Sequence, residues 1–359
     1  MKTLNLGQIA ALFMIIPALL SCNTNSAEGT ETTDFISGDF SPPKLVSIDV
    51  LDGKTLKLGF SKEITPVAVQ VGEIEQQINE NAFLTSFETE MPLSFSKENK
   101  SKLSVVLEEE TELGKYYGIQ GSVTDNGGNA LTFNSVFAAY NDRMPDLILS
   151  EIQTDMKSGK SGTPNSAEFV ELFAQTSGNL AGMCLYSAYD GETCRYEFPA
   201  VEVQAGEYIT LHMRKLENVC LDELEDDLTL SGGNWSSDTA RDLWVNNNSA
   251  RLGKTDVILL EERKNGKVMD ALFLSEQKKD SWPKNTEVIA ANRAVKDGAW
   301  KGSADISSAV STANITTTRS ISRQGNLMTA GKADKNDWLL TATGTISPGK
   351  PNSTKPFKN

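Results

Sequence analysis

Two short apolar runs, each with a glutamate set inside it, constrain the fold more than any other feature of this chain. The first run is Leu147–Ile152, the second is Glu168–Phe173, and a loop rich in Gly, Ser and Lys separates them. Runs of this length, rich in leucine, isoleucine and aromatic residues, are typical of strands. The pattern predicts two half-buried strands that supply the core face of one sheet of a sandwich.

Segments farther along the chain follow this pair in an order that resembles the lamin-tail domain, an immunoglobulin-like β-sandwich. They are Leu180–Leu185, Gly206–Leu211, Leu252–Phe273, Ser320–Arg323, Asp337–Trp338 and Pro348–Asn352. Met183 replaces the tryptophan of the family's Leu-Ser-Gly-Trp-x-Leu strand, which Leu180–Leu185 matches. The resemblance implies a non-catalytic domain over residues 146–352, and Asn265–Gly266 is by itself a strong hairpin signal.

The resemblance is interrupted by insertions near residues 218–249 and 276–318, both too long for structureless loops in a compact domain. Glu287–Val295 has the alanine and charge content of a short helix. Tryptophans are frequent contact anchors at interfaces. We therefore expect a binding surface on the tryptophans in or near the insertions, unless they cover the ends of the sandwich. These residues are Trp235, Trp244, Trp282 and Trp300.

Residues 42–141 resemble the bacterial immunoglobulin-like domains of surface-layer and adhesin-type proteins. Pro42–Pro43 precedes an alternating run, Phe60–Ser61 closes the second run, and Asp125–Asn129 has the late Asp-x-x-Gly-Asn turn. A chain of 359 residues suits two domains plus tails. The predicted fold class is all-β, with two immunoglobulin-like sandwiches in tandem, a short helix in an insertion of the second, and a tail at 353–359.

The N-terminus has the pattern of an export signal. Lys2 precedes the apolar run Ile9–Leu20, which Pro17 interrupts. The run is too short to span a bilayer but suits a signal peptide. We expect residues 1–21 to be removed.

Leu19–Cys22 resembles a bacterial lipobox, in which the cysteine is acylated and becomes the new N-terminus. Leu20 departs from the small residue usual at its position, although looser boxes of the spirochaete type accept it. The alternative is an ordinary signal peptide with an incidental cysteine. The resemblance favours lipid on Cys22, followed by a flexible polar tether over residues 22–41.

The charge balance bears on the choice of partners. With 34 basic and 48 acidic residues the formal net charge is −14. So negative a body repels phosphate backbones, and a nucleic-acid partner is not expected. We expect a membrane contact through the lipid on Cys22, and an unknown protein or polysaccharide ligand.

Candidate catalytic residues are few. His212 is the only histidine, strand alternation predicts that it faces water, and nothing near it resembles a nucleophile elbow. Glu151, Glu168 and Glu171 could act as paired carboxylates. They fall, however, on motif positions of a non-catalytic family. We predict neither an enzyme nor a bound cofactor or metal.

Two acidic segments raise the question of calcium. In Asp125–Asn129 we predict a turn, because Asp and Asn side chains and glycines favour one. In Asp222–Asp227 we predict a solvated charge run, since the segment lacks the glycine and spacing of an EF-hand loop. Calcium binding at either segment stays open at this point.

Three cysteines remain besides Cys22. Export to an oxidising space favours one bridge and one leftover thiol. Asp190–Gly191 suggests a hairpin that brings Cys184 and Cys194 together. This pairing is favoured over one that uses Cys220.

These observations favour a non-enzymatic, lipid-anchored protein of the bacterial envelope, placed at the outer membrane on its surface or periplasmic side. It would bind or scaffold through the loops of its sandwiches, since a rigid core lets loops vary. Two alternatives remain open: an accessory module to a nuclease or hydrolase acting in trans, and a polysaccharide-binding surface protein.

Overall fold

The structure, a computed structural model, describes residues 39–74, 87–156, 166–247, 252–276 and 279–358. Cys22, the predicted signal peptide and most of the predicted tether lie outside these residues. Strands predominate among the regular elements of the described residues, which confirms the all-β class. Its strands are β1 (Leu45–Val50), β2 (Thr55–Phe60), β3 (Thr65–Ile74), β4 (Thr89–Met91), β5 (Leu93–Asn99), β6 (Lys102–Leu107), β7 (Tyr116–Thr124), β8 (Ala130–Ala138), β9 (Leu147–Gln153), β10 (Phe169–Ala174), β11 (Gly178–Asn179), β12 (Cys184–Ser187), β13 (Arg195–Glu197), β14 (Glu202–Val203), β15 (Tyr208–His212), β16 (Arg241–Trp244), β17 (Asp256–Glu261), β18 (Val268–Ser275), β19 (Val310–Ser311), β20 (Ile321–Arg323) and β21 (Trp338–Leu340).

The helical content of the described ranges is small. It consists of α1 (Asn285–Lys296) and the 3-10 turns Gly191–Cys194, Ile306–Ser308, Leu327–Thr329 and Lys335–Asp337. Within those ranges, no helix has the length and apolar character needed to cross a bilayer.

The first sandwich consists of two four-stranded sheets, ordered β1-β2-β6-β5 and β4-β3-β7-β8. Alternating residues of the two sheets, such as Leu58, Val71 and Ile119, fill the core between them. The hairpin at Asp125–Asn129 joins β7 to β8, and Gly128 takes a positive φ of 80° there. The predicted turn is confirmed.

The second sandwich packs a six-stranded sheet, β16-β15-β10-β9-β20-β21, against a five-stranded one, β13-β12-β17-β18-β19. Each insertion adds an edge strand in parallel orientation: β16 pairs with β15, and β19 pairs with β18. Parallel neighbours need a long crossover connection, and the two insertions provide it. They are therefore parts of the sandwich.

Two local predictions for this sandwich are confirmed. The helix expected at Glu287–Val295 is α1, whose small Ala290, Ala291 and Ala294 pack into the core. The Asn265–Gly266 hairpin joins β17 to β18, with Asn265 at a φ of 58°. Asparagine tolerates this left-handed conformation better than most residues do.

Residues 41–359 form one compact unit that contains both sandwiches. Their two cores share no residue. Between them, the Tyr116 hydroxyl donates a hydrogen bond to Glu197, and Gly114 lies so close to Ala200 that an added Cβ would come within 2.5 Å of the Ala200 Cβ. Separate folding of residues 42–141 and 146–352 stays a prediction.

The segment predicted as a tail over 353–359 is attached to the sheet edge as far as it is described. Thr341 forms a bridge with Pro356, the Phe357 amide donates to the Leu340 carbonyl at 2.9 Å, and Arg319 lies over the Phe357 ring at 3.7 Å. The second sandwich therefore extends past residue 352.

Candidate functional site

The outer face of the six-stranded sheet is polar. Successive register partners across five adjacent strands are Asp242, Thr210, Glu171, Glu151 and Ser322. Register partners share a face of a sheet. The next register row points to the other face and is apolar throughout: Leu243, Leu211, Val170, Ile152 and Ile321.

Both rows are buried, and so are all residues of β9 and β10. The prediction of half-buried strands is therefore wrong for this pair. The predicted alternation of polar and apolar residues is present, but distant segments of the chain cover the polar face.

Residues 347–352 cover the centre of this face. Ser347 donates to Glu151 Oε2 from its amide and its hydroxyl, at 3.0 Å each, and the Gly349 amide donates to Glu171 Oε2 at 2.6 Å. Asn352 Nδ2 donates to the Ser150 carbonyl at 3.1 Å. The Pro348–Asn352 motif thus closes the sheet over its two central carboxyl groups.

Glu151 and Glu171 are fully buried and face each other. Burial raises the pKa of Glu151, while hydrogen bonds from Ser320, Ser347 and Ser322 act in the opposite direction. Burial and the charge of Glu151 raise the pKa of Glu171 well above its ordinary value. Two carboxylates this close do not both ionise readily. In this arrangement both carboxyl groups accept hydrogen bonds from other residues of the same chain.

His212 is buried, so the prediction that it faces water is wrong. It lies on the polar face as alternation predicts, but the first insertion covers that end of the sheet. Its Nε2 is 2.8 Å from Asp242 Oδ1, and its ring stacks on Trp244 at a centroid distance of 3.8 Å. The imidazole helps to fix β16 to β15.

The predicted tryptophan surface is wrong for three of its four residues, because their side chains are buried. Trp244 Nε1 donates to Ser231 Oγ at 2.9 Å, Trp282 Nε1 donates to the Ala304 carbonyl at 2.8 Å, and Trp300 stacks on Phe273 at 4.6 Å. They cover the sandwich, which is the alternative given above. Trp235 is half-buried, with a φ of 76°.

The predicted Cys184–Cys194 bridge is absent, and Cys184, Cys194 and Cys220 are buried and form no disulfide. The hairpin register is the reason. Cys184 pairs with Glu197, and Arg195 pairs with Tyr186, so Cys194 lies three residues farther along the hairpin. At ~3.4 Å per residue, that offset is about 10 Å along the strand, beyond the reach of a disulfide.

The first insertion is held to the sheet by a buried carboxylate and a buried guanidinium. Glu223 Oε2 accepts from the Asp242 amide at 2.7 Å, and Glu223 Oε1 accepts from the Ser231 amide at 3.0 Å. Arg241 Nη1 donates to the carbonyls of Glu223 and Glu225, at 2.6 Å each. These bonds fix the backbone of residues 219–231 although it contains neither helix nor strand.

This fixed segment exposes four aliphatic side chains. Val219 is 53% exposed, Leu221 45%, Leu224 47% and Leu230 49%. We call residues 219–230 the aliphatic loop. Exposed apolar clusters on a soluble protein mark interaction sites more often than isolated apolar residues do. The loop is the candidate functional site.

Acidic side chains are interspersed with the aliphatic ones. Asp222, Glu225, Asp226 and Asp227 are exposed, as predicted for a solvated charge run, whereas Glu223 is buried. Burial raises the pKa of Glu223. Among the described residues, no group of three or more His, Cys, Asp or Glu side chains is placed to hold a metal ion. The sequence analysis considered the acids of this run but not Leu224 within it, nor Leu221 and Leu230 beside it.

A groove of about 520 Å³ lies at the end of the second sandwich, near the start of α1. Two of its lining atoms, Thr154 Oγ1 and Glu287 Oε1, are buried without a hydrogen-bond partner among the described residues. Glu168, also in the lining, is paired with Arg214 through two bonds of 2.8 and 2.7 Å. This carboxyl group is therefore fixed in a structural ion pair.

Fold and surface together define a tandem β-sandwich protein whose second sandwich carries a fixed aliphatic loop. A family model named TP_1001_2nd, described as a protein second domain, matches residues 145–340, more than half of the chain. The chain belongs to this family. An uncharacterized protein of Treponema pallidum (strain Nichols) is 30% identical over 276 residues, a match that covers 70% of this chain and 68% of the relative.

Two solved structures show distant similarity. The N-terminal part of the bacterial S-layer protein SbsC is 14% identical, with a TM-score of 0.22, over 37% of this chain and 40% of that one. A DUF4876 family protein from Bacteroides thetaiotaomicron is 10% identical, with a TM-score of 0.30, over 77% of this chain and 88% of that one. Similarities this weak carry no argument about function.

Proposed function

We propose that this protein is a lipid-anchored, non-enzymatic protein of the bacterial envelope that binds a partner through the aliphatic loop. Cys22 would carry the lipid at the outer membrane, and residues 22–41 would be the tether. The two sandwiches, the second of them lamin-tail-like over residues 146–352, would be a rigid support for the loop. The proposal includes no cofactor and no nucleic-acid partner.

The observation that carries the proposal is the combination of exposure and fixation in the aliphatic loop. Its four aliphatic side chains face water at an energetic cost. Its backbone is held by Glu223 and Arg241, both buried. A loop that is rigid before binding loses little conformational entropy when it binds. This arrangement is what a recognition surface requires.

The buried carboxylates support the non-enzymatic part of the proposal. Glu151 and Glu171 are the pair best suited to acid–base chemistry by residue type, yet both lie beneath residues 347–352. Their hydrogen bonds hold a covering segment in place. A substrate would have to displace that segment to reach either carboxyl group.

The anchor is tested by detergent phase partition of the full chain produced in a bacterial host that processes lipoproteins. The parent is expected in the detergent phase and the Cys22→Ala variant in the aqueous phase or unprocessed. Protease treatment of intact cells then distinguishes a surface position from a periplasmic one. Equal partition of both proteins into detergent would refute lipid attachment at Cys22.

The binding surface is tested by placing a photo-crosslinking amino acid at Leu224 in cells that naturally produce the protein. The matched control is Val67, which is 60% exposed on β3 of the first sandwich. A discrete crosslinked species from position 224, absent from position 67, is the expected result. No adduct at 224, or the same adducts at both positions, would contradict a binding role for the loop.

A further inference from the structure

We infer that the aliphatic loop docks into an apolar socket with a basic rim on a partner protein. The inference rests on the proposed function and names the class of its partner. It is argued from the placement of apolar and charged side chains on one fixed segment.

The apolar part of the contact is set by the four aliphatic side chains. They lie within twelve residues of one another, and each retains about half of its surface in water. The Gly232 amide donates to the Val219 carbonyl at 2.7 Å, and Asp222 Oδ1 accepts from the Trp244 amide at 2.7 Å. Because the backbone is fixed at both ends of the loop, the exposed aliphatic side chains are held in defined positions. A shaped apolar pocket can match side chains that are held in this way.

The acidic side chains beside Leu224 determine which residues the partner can have around its socket. Glu225 and Asp226 follow Leu224 directly, and both are exposed. A partner that buries Leu224 must also approach these two carboxylates. Lysine or arginine around the socket would pair with them, whereas acidic residues would be repelled. The residues around the partner's socket are therefore expected to be positively charged.

Three other partners fit the aliphatic loop less well: a second copy of this chain, a lipid surface and a polysaccharide. A second copy of this chain would bring its own acids and a formal net charge of −14 to the contact. A lipid surface would receive Leu224 only if the adjacent carboxylates entered the headgroup layer, and anionic lipids repel them. A polysaccharide is recognised largely through aromatic side chains, and Trp244, Trp282 and Trp300 are buried.

The test uses the full chain in detergent and a probe peptide of about 14 residues, four helical turns, with leucine on one face and lysine on the other. A second peptide keeps the leucines and replaces lysine by glutamate. Binding of each labelled peptide is followed by fluorescence anisotropy at about 50 mM and about 500 mM NaCl, since salt screens the charged rim. The variants are Leu224→Ser and the double variant Glu225→Gln/Asp226→Asn.

Two control variants match these changes away from the loop: Val67→Ser, and Glu108→Gln/Glu109→Gln. The lysine peptide is expected to bind the parent, and Leu224→Ser is expected to weaken it by about tenfold, the loss typical of one interface anchor. Glu225→Gln/Asp226→Asn should weaken binding mainly at low salt. The controls should behave like the parent, and the glutamate peptide should not bind.

Three results would overturn the inference. The first is equal binding of the lysine peptide to the Leu224→Ser variant and to the parent. The second is a self-association of the parent, seen by sedimentation, that the loop variants lose. The third is flotation of the Cys22→Ala protein with vesicles of phosphatidylcholine and phosphatidylglycerol that is lost when Leu224→Ser is added. The lysine peptide could fail to bind while position 224 still gives its discrete crosslink in cells. In that case the inference of a basic rim on the partner is wrong, and the proposed function stands. If the crosslink is also absent, the proposed function fails as well.

Discussion

Glu151 and Glu171 are direct register partners on β9 and β10, yet Glu151 accepts hydrogen bonds from more residues than Glu171 does. Glu151 accepts from Ser320, Ser322 and Ser347. Glu171 accepts from Ser150 at 2.8 Å and from Gly349 at 2.6 Å. Hydrogen bonds to a carboxylate favour its charged form. The pKa of Glu171 is therefore raised further above its ordinary value than the pKa of Glu151 is.

This asymmetry predicts different outcomes for two isosteric substitutions. In Glu171→Gln, the amide oxygen can still accept from Gly349 while the amide nitrogen donates to Ser150 Oγ, so the free energy of unfolding should equal or exceed that of the parent. In Glu151→Gln, the amide nitrogen meets donors on Ser347, and we expect a loss of about 1–3 kcal/mol. Urea denaturation at pH 7.5 measures both. The reverse order of stability would contradict the stronger rise in the pKa of Glu171.

Asp256 should make the free energy of unfolding depend on pH in the direction opposite to that of most carboxylates. Burial raises the pKa of Asp256 to about 6, against hydrogen bonds from Ser187, Gly253 and Tyr189. The folded state then holds a proton that the unfolded state releases near its ordinary pKa of 3.8. Stability from this group is therefore fully present below about pH 4 and is lost as pH rises to about 6. The loss is about 3 kcal/mol at 1.36 kcal/mol per pKa unit.

Denaturation curves between pH 4 and pH 7.5 test this expectation. The Asp256→Asn variant cannot titrate and should lose less stability than the parent across that interval. Asp227→Asn is the control, because hydrogen bonds from Thr229 lower the pKa of Asp227 and remove its titration from the interval. An unchanged slope in Asp256→Asn would rule out a raised pKa at this residue.

The sequence predicts those structural features that depend on neighbouring residues, and it does not predict those that depend on distant segments. Asn265–Gly266, the Glu287–Val295 helix and the alternation in β9 and β10 follow from neighbouring residues, and all three are present. The burial of His212 depends on the first insertion, and that of Glu151 on a segment 196 residues away. No local pattern carries information of that kind.

Breaking the buried ion pair of Arg323 and Asp270 should destabilise the fold far more than breaking a surface pair. Arg323 Nη1 donates to Asp270 Oδ2 at 2.7 Å, with side chains 2% and 0% exposed. Arg323→Ala leaves the buried carboxylate without its partner, and we expect a loss of about 3–5 kcal/mol. The control is Arg143→Ala, whose pair with Glu202 is 56% and 48% exposed. It should lose about 1 kcal/mol or less. Equal losses would contradict this ranking.

The thiols should be unreactive in the folded protein. Burial, together with the charge of Glu197, raises the pKa of the Cys184 thiol to about 12, so little nucleophilic thiolate forms. A disulfide reagent should modify Cys184, Cys194 and Cys220 only when urea is present. The melting temperature should be the same with and without a reductant. A reductant-sensitive melting temperature would show that a bridge exists.

The two sandwiches should fold separately. Residues 42–141 and 146–358 hold distinct cores, and the second fragment includes the attached segment around Pro356. Each should give a strand-rich circular dichroism spectrum and a cooperative melt. Loss of cooperativity in either fragment, with recovery on mixing, would show that contacts such as Tyr116–Glu197 are required for folding.

The covering segment also has a consequence for biogenesis. Until Ser347 and Gly349 emerge from the ribosome, Glu151 and Glu171 lack the backbone donors that make their burial tolerable. A chain that ends before residue 347 lacks these donors, so its second sandwich should be less stable than that of the full chain. Completion of the second sandwich is therefore expected late in synthesis, once Ser347 and Gly349 can cover the polar face of the sheet.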